Sequence, residues 1–171
     1  MAGNTELLEN LSALRKLYEG LCAPVRGAHD LTQTEVDVVA FLGNNPHMDT
    51  ASHIVELRML PKANVSLAVD ALIRKGLANR QPDENDRRRI HIKLTPQGQA
   101  LLPKLREIQL AYEQILFQDF SLEERRVYGE MSGRIWQNAR RGWNKGRMDE
   151  ERLGEEKLDE DRIDKRRTDE G

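Results

Sequence analysis

The sequence predicts a mainly α-helical fold carrying one small β-hairpin. Two observations predict it. Apolar residues recur at three- and four-residue steps along most of the chain, and the period switches to alternation only between residues 77 and 94. A length of 171 residues suits one domain with a sizeable core better than two.

The first helix reads over residues 5–22, where Leu7, Leu11, Leu14 and Leu21 share a face with Leu17 and Tyr18 beside them. Pro24 and Gly27 are expected to end it. Thr32-Gln33-Thr34-Glu35 is a capping box, in which hydroxyl and carboxylate each satisfy a free backbone N–H of the other residue. It opens a second helix with Val36, Val39 and Ala40 on its apolar face, joined by Phe41 and Leu42 and stopped at Gly43–Pro46. A third, shorter helix starts near Asp49 or Thr50 and runs to about Met59.

Pro61 opens a fourth helix, where its missing N–H costs nothing. Val65, Ala68, Val69, Leu72 and Ile73 give that helix its buried side, and Gly76 followed by Leu77 is a good C-terminal stop. Residues 77–81 and 90–94 then alternate apolar with polar around a charged 82–89 tip, a hairpin signature. Thr95-Pro96 caps a long helix with a Leu101, Leu105, Ile108, Tyr112, Ile115 seam, kinked by Pro103. A second capping box, Ser121 to Glu124, opens a last helix carrying Val127, Met131 and Ile135 and expected to end near Trp136 to Trp143.

The expected division is a domain over 1–146 and a charged tail over 147–171, helical near its start and disordered later. The tail holds 7 Lys+Arg against 11 Asp+Glu, a net of −4, whereas residues 58–93 hold 9 basic against 4 acidic, a net of +5. The overall −2 therefore hides a local positive field of the kind that attracts nucleic acid. No run of eighteen apolar residues predicts a membrane span, and no basic-then-apolar leader predicts export. A single cysteine, Cys22, excludes an internal disulfide and fits a reducing cytoplasm. His29, His47, His53 and His91 lack ligand spacing and are expected in surface or capping roles, with no metal or other cofactor. No nucleophile elbow, phosphate-cradling glycine loop or paired-cysteine pattern points to an enzyme.

Helix, helix, helix, hairpin over residues 32–94 is the order of a winged helix-turn-helix. A helix fits the major groove, a preceding helix braces it, and a basic hairpin tip can reach the minor groove. Over residues 5–140 the chain resembles the MarR family of transcriptional regulators. The resemblance rests on Leu31-Thr32, on Val69 to Leu77 (VDALIRKGL), on Asp83 to Arg89 (DENDRRR), and on Leu94-Thr95-Pro96-Gln97-Gly98.

The resemblance implies a double-stranded DNA-binding lobe over 31–95 whose recognition helix spans Pro61 to Lys75. Lys62, Ala63, Asn64, Ser66 and Leu67 match its DNA-contacting positions, with Leu67 standing where a polar or basic residue is more usual. It also implies that Asp86 braces Arg88 in the wing by a carboxylate–guanidinium bond, with Arg87 and Arg89 facing phosphates. Helices over 5–23 and 96–143 are expected to interlock with a second copy as a homodimer on a palindromic operator. A ligand-responsive repressor is implied, with a small aromatic or phenolic effector binding between dimer base and DNA lobe. Two other readings stand beside it: a winged-helix protein-interaction adaptor, and a peroxide-sensing regulator acting through Cys22.

Overall fold

The structure, a computed structural model, describes residues 4–86 and 88–169, with side chains described over 5–146 apart from residue 87. The elements run α1 (Asn4–His29), α2 (Gln33–Asn44), α3 (Ala51–Arg58), α4 (Lys62–Arg74), β1 (Ala78–Pro82), β2 (Ile90–Leu94), α5 (Pro96–Gln99), α6 (Leu102–Leu116) and α7 (Leu122–Asp169). The chain forms two compact units, one up to residue 118 and one from residue 119 onward.

In the first unit, α2 and α4 build the core. Val36, Val38 and Val39 of α2 and Val65, Val69 and Leu72 of α4 are almost wholly buried, with Ile54 of α3 beside them. The capping box at the start of α2 forms as the sequence predicts: Thr32 N–H donates to Glu35 Oε2 at 2.7 Å, and Glu35 N–H to Thr32 Oγ1 at 3.2 Å. The same Glu35 carboxylate, 4% exposed, takes the Lys75 ammonium at 3.0 Å. Lys75 also donates to the Asp30 carbonyl, so the far end of α4 is clamped to the turn before α2. Removing one partner of such a buried pair leaves the other unpaired, which costs more than the bond itself contributes.

Gly76, at φ +70°, turns the chain out of α4, and Leu77 N–H bonds back to the Leu72 carbonyl at 2.9 Å. The hairpin then pairs in antiparallel register from Ala78 opposite Leu94 to Pro82 opposite Ile90. Its base is fixed to α5 by close backbone packing: a Cβ on Gly98 would lie 2.1 Å from the Leu77 carbonyl oxygen. Only glycine fits there.

Three element boundaries differ from the sequence reading. The first helix continues through Pro24 to His29. Burial of Cys22 and Val25 on the core outweighs the one hydrogen bond a proline removes. The long helix after Thr95 is two helices, α5 and α6, because Pro103 falls in the first turn of a new helix rather than kinking an old one. The last helix, expected to end near Trp136 to Trp143, runs on to Asp169, so the later tail is helical where disorder was expected. Its sequence lacks proline after residue 103 and is rich in Glu, Lys and Arg, which are strong helix formers.

Both units leave apolar side chains in solvent. Leu7, Leu8 and Leu11 of α1 and Leu110 and Ile115 of α6 are exposed in the first unit, as are Met131, Ile135, Trp136 and Trp143 of α7 in the second. No helix among the described residues is long and apolar enough to cross a membrane.

Candidate nucleic-acid interface

Helix α4 buries one stripe and offers the other. Val65, Ala68, Val69 and Leu72 face the core, which turns Lys62, Ala63, Asn64, Ser66 and Leu67 outward. All five are exposed, and Leu67 is 68% exposed, a large cost for a leucine with no protein partner to cover it. Pro61 stands just outside the helix as its N-cap rather than as its first residue, and gives no side-chain cap. The first N–H groups of α4 therefore lie beside the exposed residues, at the positive end of the helix dipole.

The wing loop between β1 and β2 is shaped by its aspartates. Asp83 Oδ1 accepts from the backbone N–H groups of Asn85 at 2.8 Å and Asp86 at 2.9 Å. Asp83 N–H donates to the Arg89 carbonyl at 2.9 Å, and Arg89 N–H to the Asp86 carbonyl at 2.8 Å. The expected carboxylate–guanidinium bond between Asp86 and Arg88 is absent; Asp86 Oδ1 instead accepts the Arg88 backbone N–H at 3.0 Å. At a two-residue spacing in a tight turn the main-chain donor is the nearer one, so Asp86 braces the backbone and leaves the guanidinium unheld. Arg88 and Arg89 are exposed and form no ion pair among the described residues. Arg87 lies outside the described residues.

The two arginines and Asp86 line a cleft of about 510 Å³ opposite Thr50, Ser52, His53 and other residues at the start of α3. Thr50 caps that helix, accepting from His53 N–H at 3.3 Å, and the His53 ring Nδ1 is buried without a partner. Arg88 and Arg89 bring two guanidinium groups, which suit a phosphate oxygen, to a cleft that the carboxylates of Glu56 and Asp86 also line.

Sequence reasoning missed the root of the wing. His91 was expected in a surface or capping role, but its ring lies between two carboxylates, Asp49 Oδ1 at 2.6 Å and Asp83 Oδ2 at 2.9 Å. These bonds hold Asp83 down to about 2, through His91 first and then the Asn85 and Asp86 N–H groups. The signal available was alternation: His91 is a polar position between the apolar Ile90 and Ile92. Its partners, 42 and 8 residues away, were not legible.

Cys22 is buried, and burial pushes its thiol up despite bonds from Gln33 and Tyr18. A reactive thiol needs the opposite shift. Among the described residues no group of His, Cys, Asp or Glu side chains could hold a metal ion.

A family model described as MarR family matches residues 29–89, which carry α2, α3, α4 and the wing. The HTH-type transcriptional regulator PecS of Dickeya dadantii is 28% identical over 131 residues, 75% of this chain and 79% of its own. The homoprotocatechuate degradative operon repressor of Escherichia coli is 31% identical over 93 residues, 54% of this chain and 62% of its own. Among solved structures, a MarR protein from Peptoclostridium difficile superposes with a TM-score of 0.74 at 18% identity, covering 83% of this chain and 92% of that one. A putative MarR family regulator from Listeria monocytogenes, solved with a 26mer DNA, gives a TM-score of 0.71 at 14% identity over 80% of this chain and 90% of its own.

Proposed function

We propose that the chain is a winged-helix transcriptional regulator of the MarR family, a repressor gripping a palindromic operator as a homodimer; the family match over residues 29–89 and the likeness to PecS support it. The observation that carries the reading is the pairing, in one compact unit, of the exposed α4 residues Lys62, Ala63, Asn64, Ser66 and Leu67 with Arg88 and Arg89 of the wing, which form no ion pair among the described residues. Lys62, Asn64, Ser66 and Leu67 would meet base edges and phosphates in the major groove, Leu67 against a thymine methyl. Arg88 would enter the minor groove, with Arg87 and Arg89 on flanking phosphates. The role is regulatory rather than enzymatic, and its place is the cytoplasm.

The homodimer is supported by the exposed leucines of α1 and the exposed apolar residues of α6 and α7. Two copies would set two recognition helices about one turn of DNA apart.

An effector reading is supported by a cleft of about 280 Å³ between α1 and the α2–α3 region, lined by Arg15, Tyr18, Gln33, Asp37, Arg58 and Leu60 among others. Gln33 Oε1 is buried without a partner and would accept a hydroxyl proton, while Arg15 and Arg58, paired with Glu19 at 2.6 Å and Asp37 at 3.2 Å, would share their remaining donors with a carboxylate or phenolate. A small aromatic or phenolic acid fits this chemistry. Its binding would loosen operator affinity by favouring a different spacing of the two lobes.

The test is a gel shift of the purified chain on the DNA upstream of its own gene at low salt, with sedimentation analysis alongside. A retarded band from a dimer is expected. A folded chain giving no band, or a monomer at working concentration, would overturn the reading. The adaptor alternative predicts that Arg88→Ala leaves partner binding intact and that no duplex is retained.

A further inference from the structure

His91, the second residue of β2, stands outside the residues expected to touch DNA, yet it joins three segments of the chain. Asp49, which precedes α3, is buried, takes the Lys93 ammonium as well as His91 Nδ1, and through its carbonyl accepts Ile92 N–H at 2.7 Å. Asp83 opens the wing loop, shapes it with Oδ1 and meets His91 Nε2 with Oδ2.

A neutral imidazole has one N–H and one lone pair. Between two carboxylates it can satisfy only one; the other contact would set a bare ring nitrogen against an anionic oxygen. Both bonds form only when the ring is an imidazolium. The charged groups facing the ring are Asp49 from the α3 side and Asp83 from the wing loop, with Lys93 of its own strand held on Asp49. His53 and Glu56 of α3, with Asp86, Arg88 and Arg89 of the loop, border the adjoining cleft, and the cross-strand neighbour Gln81 is uncharged.

Building on the reading that the wing touches DNA, we propose that His91 is a positioning residue. As an imidazolium it ties the wing loop to the start of α3, and loss of its proton frees the loop and weakens DNA binding. Bonds to Asp83 first and Asp49 second raise the His91 pKa above its ordinary 6.5. Both carboxylates are lowered: at Asp83 these bonds dominate, and at Asp49 the bonds from Lys93 and His91 outweigh burial. The aspartates therefore stay charged while the histidine titrates. The tie is complete below 6.5 and is lost as pH rises through the raised value. Asp49 is the more buried partner at the shorter distance, so the remaining N–H stays on it and Asp83 is released.

The experiment follows binding of the full chain to a labelled duplex from its upstream region by anisotropy, at constant ionic strength, with the His91 ring followed by NMR. Between about pH 6 and about pH 8.5 the native chain is expected to lose roughly fivefold in affinity, the scale of one charge-assisted hydrogen bond only partly transmitted to the tip. His91→Gln should bind more weakly at low pH and show a flatter profile. Asp83→Asn separates positioning from mere structure. Its amide oxygen can still accept from Asn85 and Asp86, and its amide N–H can donate to the bare Nε2, so a neutral ring satisfies both neighbours. This variant should bind better than the native chain at the alkaline end.

A His91 ring titrating at or below its ordinary value, a native pH profile surviving in His91→Gln, or no alkaline gain in Asp83→Asn would each overturn the proposal alone. A native chain that binds no duplex at any pH would overturn the DNA-binding reading and this proposal with it.

Discussion

Helix α4 and the wing are both offered to solvent, but they are held there by different forces. The helix is seated by apolar packing of Val65, Ala68, Val69 and Leu72, and clamped at its far end by Glu35 and Lys75. The wing is held by polar bonds, Asp83 to its own loop and His91 to Asp49 and Asp83. The surfaces differ in the same way: residues 62–67 carry one charge, and residues 87–89 carry three. Packing is insensitive to pH and salt, whereas charge-assisted bonds and phosphate contacts respond to both. Under the proposed DNA-binding mode, most of the salt-dependent affinity belongs to the wing and most of the sequence preference to the helix.

The largest effect should come from unseating the helix. Leu72→Ala is expected to destabilise the chain by about 2–5 kcal/mol in urea unfolding. The loss should be equal near neutral and mildly alkaline pH; a pH-dependent loss would break the contrast. Next, Arg88→Ala should weaken duplex binding about tenfold and lower the slope of log affinity against log salt by about 1. An unchanged slope would remove the wing from the phosphate-facing role.

Asn64→Ala should cost severalfold in affinity while leaving the salt slope unchanged, and should relax preference at one base position in selection from random duplexes. A uniform loss across sequences would instead make Asn64 a phosphate contact. The smallest effect is local. Asp83 is depressed to about 2, so its hold on the loop is complete above its ordinary 3.8 and is lost as pH falls through that lowered value. Amide exchange at Asn85 and Asp86 should therefore stay protected on mild acidification and be released only in strong acid.

The same contrast explains what could be read from the sequence. The helices announced themselves through local signals, such as the Thr32–Glu35 capping box and the stripe from Val65 to Leu72, which act within four residues. The wing showed as an alternating pair of strands around a charged tip. Of the boundaries that went astray, packing overrode the breaker at Pro24 and summed propensity carried α7 onward, whereas at Pro103 a full helix boundary stands where a kink was expected. At the candidate site, the exposure of Lys62, Ala63, Asn64, Ser66 and Leu67 around a buried Val65 followed from periodicity alone. The Asp86 bond went to a backbone N–H rather than a guanidinium because turn geometry, not charge, chose the partner. The His91 bridge and the Glu35–Lys75 clamp join positions 42 and 40 residues apart, a separation at which no pattern of residue types marks a contact.

The asymmetry along α4 has an evolutionary corollary. One end is riveted through Lys75, while at the other Lys62, Ala63, Asn64, Ser66 and Leu67 face outward around the buried Val65. Substitutions there should be nearly neutral for folding yet decisive for which promoters are occupied. Such a regulator can be retargeted by drift at a handful of surface positions, its scaffold unchanged beneath them.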